Sequence, residues 1–111
     1  MKKSCHHTEY LLEKVLTDTG ESSPYEFRDG EIYRGREHLG SFRLLPYSDG
    51  TVYFHSFSID RPGQGTGRAV FPHLLNFLAH DYKKIRLQVS SDNTAAMKLY
   101  QDFAIVEQAE V

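Results

Sequence analysis

Three glycines at alternate positions, Gly63, Gly65 and Gly67, are interleaved with Gln64 and Thr66 and stand just before an apolar helical pattern. Glycine reaches positive φ without strain and lets another molecule approach the main chain closely. A helix that opens inside such a turn adds unpaired N–H groups and about half a positive charge. That chemistry suits an anion, phosphate above all. The G-x-G-x-G spacing is not the dinucleotide fingerprint G-x-G-x-x-G, and no Lys-Ser or Lys-Thr follows Gly67 as it would in a Walker A loop. The same glycines also suit a tight connection chosen for packing, so the loop by itself leaves both readings open.

The other reactive side chains say less on spacing alone. Cys5 is followed by His6 and His7, but no second Cys/His pair at ligand spacing accompanies them, so no metal is expected and the segment reads as a frayed terminus. His73 and His80 fall on the polar side of the helix after the glycine turn. A single cysteine allows no internal disulfide and favours a reducing, cytoplasmic setting. A net charge of −2 gives no basic footprint for nucleic acid and no polybasic membrane patch. No apolar run is long enough to span a bilayer, and Met1-Lys2-Lys3 leads into polar residues rather than a signal-peptide core.

The elements that must position the turn follow from periodicity. With 111 residues the chain is expected to be one domain with one modest core. Tyr10, Leu11, Val15 and Leu16 suggest a short helix over 5–19, stopped at Gly20. Residues 25–28 and 31–34 read as strands joined at Asp29-Gly30, a hairpin dipeptide. A third strand spans 39–46 and ends at Pro46. The fourth, 51–59, is the clearest, with Val52, Phe54, Ser56 and Ser58 on one face and Tyr53, His55, Phe57 and Ile59 on the other. The helix after the turn runs to about Asp81, with Val70, Phe71, Leu74, Leu75 and Leu78 as its buried stripe. Pro72 predicts a kink or a later helix start. A strand over 85–89, a helix over 93–101 and a last strand over 103–107 complete the chain. The fourth and fifth strands, joined by a helical crossover, should be parallel neighbours. The fold class expected is α/β (α+β): a mixed, mostly antiparallel sheet of about six strands with helices on both faces.

The segment Gly63–Ala69, G-Q-G-T-G-R-A, is followed by a strand and then by Asn93-Thr94-Ala95-Ala96 with Leu99-Tyr100. In this order the two segments resemble the pyrophosphate loop and the following helix of the GCN5-related N-acetyltransferase superfamily, over about residues 51–105. The resemblance implies acetyl-CoA as co-substrate and a primary amine as acceptor. It implies that the amides of Gly63, Gln64, Gly65, Thr66, Gly67 and Arg68 hold the pyrophosphate, supplemented by the side chains of Arg68 and Arg61. It implies a bulged fourth strand that splays from the fifth, with Phe57, Ser58 and Ile59 pairing to the pantetheine arm and a Phe57 N–H polarising the acetyl carbonyl. Asn93 would cap the second helix and meet the same arm. Tyr100 would protonate the leaving thiolate, a sensible task for a phenol of ordinary pKa about 10. Many members carry a Glu two residues before the Phe57 position; here it is His55, whose imidazole can take the amine's proton. Asp60 and Glu37 are weaker candidates for that base.

The chain departs from the family pattern at Pro62, where Arg or Gln usually opens the loop, at Ala104, where glycine is common, and in having one short N-terminal helical candidate instead of two helices. Two other functions stay open on the sequence: a CoA-binding module without catalysis, and an interaction domain whose glycines are structural. The unpartnered last strand leaves an edge, which predicts a homodimer.

Overall fold

The aromatic and β-branched run 51–59 is a strand with the expected bounds, and a mixed α/β fold is built around it. The computed structural model describes residues 8–103 and 105–110, the last four by backbone alone. In chain order the elements are β1 (Glu9–Val15), β2 (Glu26–Arg28), β3 (Glu31–Arg34), β4 (Glu37–Pro46), β5 (Thr51–Ile59), α1 (Thr66–Leu78), β6 (Lys84–Ser90), α2 (Thr94–Asp102) and β7 (Val106–Glu110). Seven strands form one sheet in the order β2-β3-β4-β5-β6-β1-β7. Adjacent strands run antiparallel except β5 and β6, which are parallel.

Residues 9–15 are a strand and not the helix expected over 5–19. Tyr10 and Leu12 turn to the core, while Glu9 and Glu13 reach Gln88 and Arg86 on the other face, the latter at 2.5 Å. That is a period of two. Leu11 and Val15 obscured it by filling out a helical spacing, and pairing with β6 on one side and β7 on the other decides the conformation. The same change raises the strand count by one over the six expected. Residues 5–7, read as a frayed terminus, and Ala104 lie outside the described residues.

The core lies on one face only. Leu12, Ile32, Phe42, Val52, Phe54, Ile85, Leu87 and Val89 from the strands form a single cluster with Val70, Phe71, Leu74 and Leu78 of α1. From α2, Tyr100 packs on Phe71 with ring centroids 5.6 Å apart. Helices on both faces are therefore not found: that expectation leaned on a helix over 5–19, and with this segment in the sheet no described helix covers the second face. That face carries Glu13, Arg43, Tyr53, His55 and Arg86, a polar surface of the kind one-sided sheets present to water.

Helix α1 starts at Thr66 despite Pro72, so the start is not delayed; the missing proline N–H leaves the Arg68 carbonyl without its helical donor. The last strand begins at Val106, later than the 103 expected. Gly40 of β4 allows a close approach to β5, since a Cβ there would fall 2.2 Å from the Ser58 carbonyl oxygen.

Candidate functional site

The site begins with an extra residue in β5. Arg43 of β4 pairs with Ser56 and the next residue, Leu44, with Phe54, so His55 is a β-bulge. The bulge reverses the alternation. Phe57 and Ile59 join Val52 and Phe54 on the helix side, where Phe57 lies 5.6 Å from Phe71 and 5.9 Å from Phe54. His55 keeps to the uncovered face beside Tyr53, 6.2 Å away ring to ring, and is exposed. The shared face expected for His55 and Phe57 is thus corrected: a period of two cannot be carried through an inserted residue.

Beyond the bulge β5 leaves β6. The parallel ladder covers only Thr51 to Tyr53, opposite Lys84 to Arg86, whereas β5 continues to Ile59 and β6 to Ser90. The Asp60 amide donates to the Leu39 carbonyl of β4 at 2.9 Å. Amides alternate in direction along an extended strand, so those of Ile59 and Phe57 face away from β4, into the split.

At the end of β5 the chain enters the glycine turn. Gly63 and Gly65 hold φ of 87° and 76°, a region that L side chains rarely adopt, and nothing stands within 4 Å of where a Cβ would be on either. Gly65 is the N-cap of α1 and supplies no side-chain cap, so the first-turn amides have no local partner. Residues 62 and 63 form a turn that brings the Gln64 amide toward the Arg61 carbonyl, but no amide of residues 65–68 has an acceptor among the described residues; the first bond of the helix is from Ala69 N to Gly65 O at 3.0 Å.

A groove of about 280 Å³ runs between this turn and α2. Phe57, Ile59, Gly63, Gly65, Thr66, Gly67 and Arg68 form one wall, and Ala95, Ala96 and Leu99 of α2 the other. Gly67 has only Ile59 and Phe57 near its missing side chain, each at 3.6 Å, which sets α1 close on β5. Gln64 lies on the far side of the turn, toward Glu37 and Leu39. Ser58 is exposed and points to the uncovered face with its partner Ser41. Asn93 caps α2, its side chain accepting from the Ala96 amide at 3.2 Å, and is not part of the groove wall. Tyr100 sits behind the groove on Phe71, and burial pushes its phenol above its ordinary pKa, so it is a protonated donor at neutral pH.

Arg68 is not free for a ligand, because its guanidinium holds Asp102 of α2 at 2.7 Å and so ties the two walls together. Arg61, also on the groove, has no ion pair among the described residues. Asp60 and Glu37, the weaker base candidates, flank a smaller cavity on the other side of the turn, and the Asp60 carboxylate is engaged by His38.

Sequence reasoning missed this last group. His38 places Nδ1 against Asp60 and Nε2 2.6 Å from Glu31, which raises its pKa, through Glu31 first and Asp60 second, against partial desolvation. The signal was weak, since the three residues come from separate elements. Among the described residues no group of three or more His, Cys, Asp or Glu is placed to hold a metal, and no helix is long and apolar enough to cross a membrane. No family model matches the sequence, and no curated protein does either.

Proposed function

We propose that the protein is an acetyl-CoA-dependent N-acetyltransferase with a GCN5-related, pared-down fold, moving an acetyl group to a primary amine by direct attack in a ternary complex. One observation carries the proposal: the bulged strand β5 leaves its parallel neighbour after Tyr53 and runs straight into a glycine turn whose helix-opening amides have no acceptor among the described residues. The turn of residues 63–68 would hold the pyrophosphate by main-chain donation at a helix N-terminus, with Arg61 nearby. The pantetheine arm would lie in the groove against Ala95, Ala96 and Leu99 and pair with the backbone of Phe57 to Ile59. Acetyl-CoA supplies the activated acyl group.

The protein's residues then have separate tasks. The Phe57 amide, facing the split, donates to the acyl oxygen as negative charge gathers there. A gap in a sheet covered on one side is open from the other, so the amine arrives from the uncovered face. His55 stands on that face and takes the proton the amine must lose, directly or through water. The amine nitrogen bonds to the acyl carbon and sheds its second proton to solvent, the carbon–sulfur bond breaks with its electrons on sulfur, and Tyr100 donates its phenolic proton to the thiolate and regains one from solvent. A binding module without catalysis is the second reading, favoured by the tight packing of Tyr100 on Phe71 and by the absence of a described helix to shape an acceptor pocket. Thermal shift with acetyl-CoA, followed by thiol release across a panel of amines, separates the readings. Stabilisation with release supports the transferase, stabilisation without release the module. No shift at millimolar acetyl-CoA refutes both.

A further inference from the structure

We infer that His38 is a positioning residue whose imidazolium clamps Asp60, and with it the start of the glycine turn, to the β3–β4 hairpin, so that anion binding at the turn depends on the protonation of a group outside it. The inference rests on the coenzyme-binding reading above for its ligand, but its geometry is independent. The Asp60 amide donates to Leu39, and its carboxylate meets Nδ1 of His38 in the adjoining β4. The opposite nitrogen reaches Glu31 of β3 at 2.6 Å. With both nitrogens facing carboxylates, both must carry protons for both contacts to be hydrogen bonds, which is the imidazolium. Tyr33 of β3 meets the ring in a T-shaped contact, 5.3 Å between centroids, and itself lies under the Arg28 guanidinium at 4.5 Å. Glu37 and Arg61 complete the charged surroundings along the adjoining cavity.

Loss of the proton has two effects. One carboxylate contact must break, and the cluster of Glu31, His38 and Asp60 goes from a net charge of about −1 to about −2 beside a site meant for phosphates. The folded pKa of His38 lies above its ordinary 6.5. The clamp is therefore fully present below pH 6.5 and is lost as pH rises through that raised value.

The test has two arms on the full chain. Nitrogen-15 NMR follows the His38 ring and the amides of Gly63, Gly65 and Gly67 between about pH 5.5 and 9. The expected result is one shared midpoint above 6.5, moved down in both sets by Glu31→Gln, which leaves the Asp60 contact in place, and abolished in the turn by His38→Gln. Turn amides that titrate independently of the ring, or not at all, overturn the inference. In the second arm, calorimetry with CoA should show affinity about two- to five-fold weaker at pH 8.5 than at pH 6 in the wild type and not in His38→Gln. The sign is informative, because the coenzyme's phosphomonoester gains charge over this range, with a second pKa about 6, and would by itself tighten binding. Equal pH dependence in the wild type and His38→Gln overturns the coupling to binding. If CoA binds at no pH, the coenzyme reading falls, and the amide titration alone supports or overturns the clamp.

Discussion

Substituting Gly65 by Ala separates what the turn does for folding from what it does for a ligand. Gly65 sits at φ 76° with no heavy atom within 4 Å of a built Cβ, so the change meets no clash and its stability cost is that of a left-handed alanine alone, about 1–2 kcal/mol. For a domain of this size that lowers Tm by roughly 4–12 °C. The chain contains its own control. Gly20 holds φ 74°, also with open space at the Cβ position, and lies outside the site. Gly20→Ala and Gly65→Ala should therefore lose similar stability in urea unfolding. Only Gly65→Ala places a methyl group where the proposed phosphate would approach the first-turn amides. A hydrogen bond to a charged group contributes about 1.5–3 kcal/mol, so one lost donor should weaken CoA roughly ten- to a hundred-fold. Calorimetry on both variants reads the difference. Equal CoA affinity in Gly65→Ala and Gly20→Ala would refute the role given to these amides. A stability loss in Gly65→Ala far above that of Gly20→Ala would show that the turn is packed and not open.

Tyr100→Phe should reduce turnover by about a hundred-fold with little change in CoA affinity, as expected of a lost general acid; unchanged thiol release in a ternary assay removes that role. Gly40→Ala should destabilise the fold by about 1–3 kcal/mol or more, because its Cβ would fall 2.2 Å from the Ser58 carbonyl and push β4 from β5; wild-type unfolding midpoints would show that the strands can part without loss. Asn93→Ala should remove the cap bond to the Ala96 amide and cost about 0.5–2 kcal/mol in thermal unfolding, with CoA affinity changed far less than in Gly65→Ala. A larger effect on binding than on stability at Asn93 would return that residue to the ligand.

The two ends of the site were unequally legible. The glycine turn, the bounds of β5 and the cap at Asn93 are encoded locally: positive-φ positions demand glycine, alternation marks a strand, and a short polar side chain three residues before an amide makes a cap. The segment 9–15 was not, because in a stretch this short Tyr10, Leu11, Val15 and Leu16 fit a helical stripe while Tyr10, Leu12 and Leu16 fit a strand face. Neighbours far along the chain, in β6 and β7, decide between them. The clamp of Glu31, His38 and Asp60 was invisible for the same reason, being made by two strands and the turn after a third and by no local pattern.

The misplaced face of His55 is the most consequential of these differences. A strict period of two put His55 and Phe57 together, as if base and oxyanion donor lay on one side of the sheet. The inserted residue puts Phe57 against Phe71 and leaves His55 on the bare face. For the proposed transfer this arrangement is better suited to a direct attack. On that proposal the coenzyme would lie in the groove on the helix side, and a nucleophile reaching the acyl carbon through the split would come from the opposite side, where a base is needed. Removing the bulge by deleting His55 would restore regular pairing of β5 with β4, with Phe57 still opposite Phe42 on the core face, and would take away the irregularity that precedes the split from β6. Such a variant should lose CoA binding while keeping its core pairing, whereas His55→Gln, which keeps the backbone, should lose only the rate of amine attack.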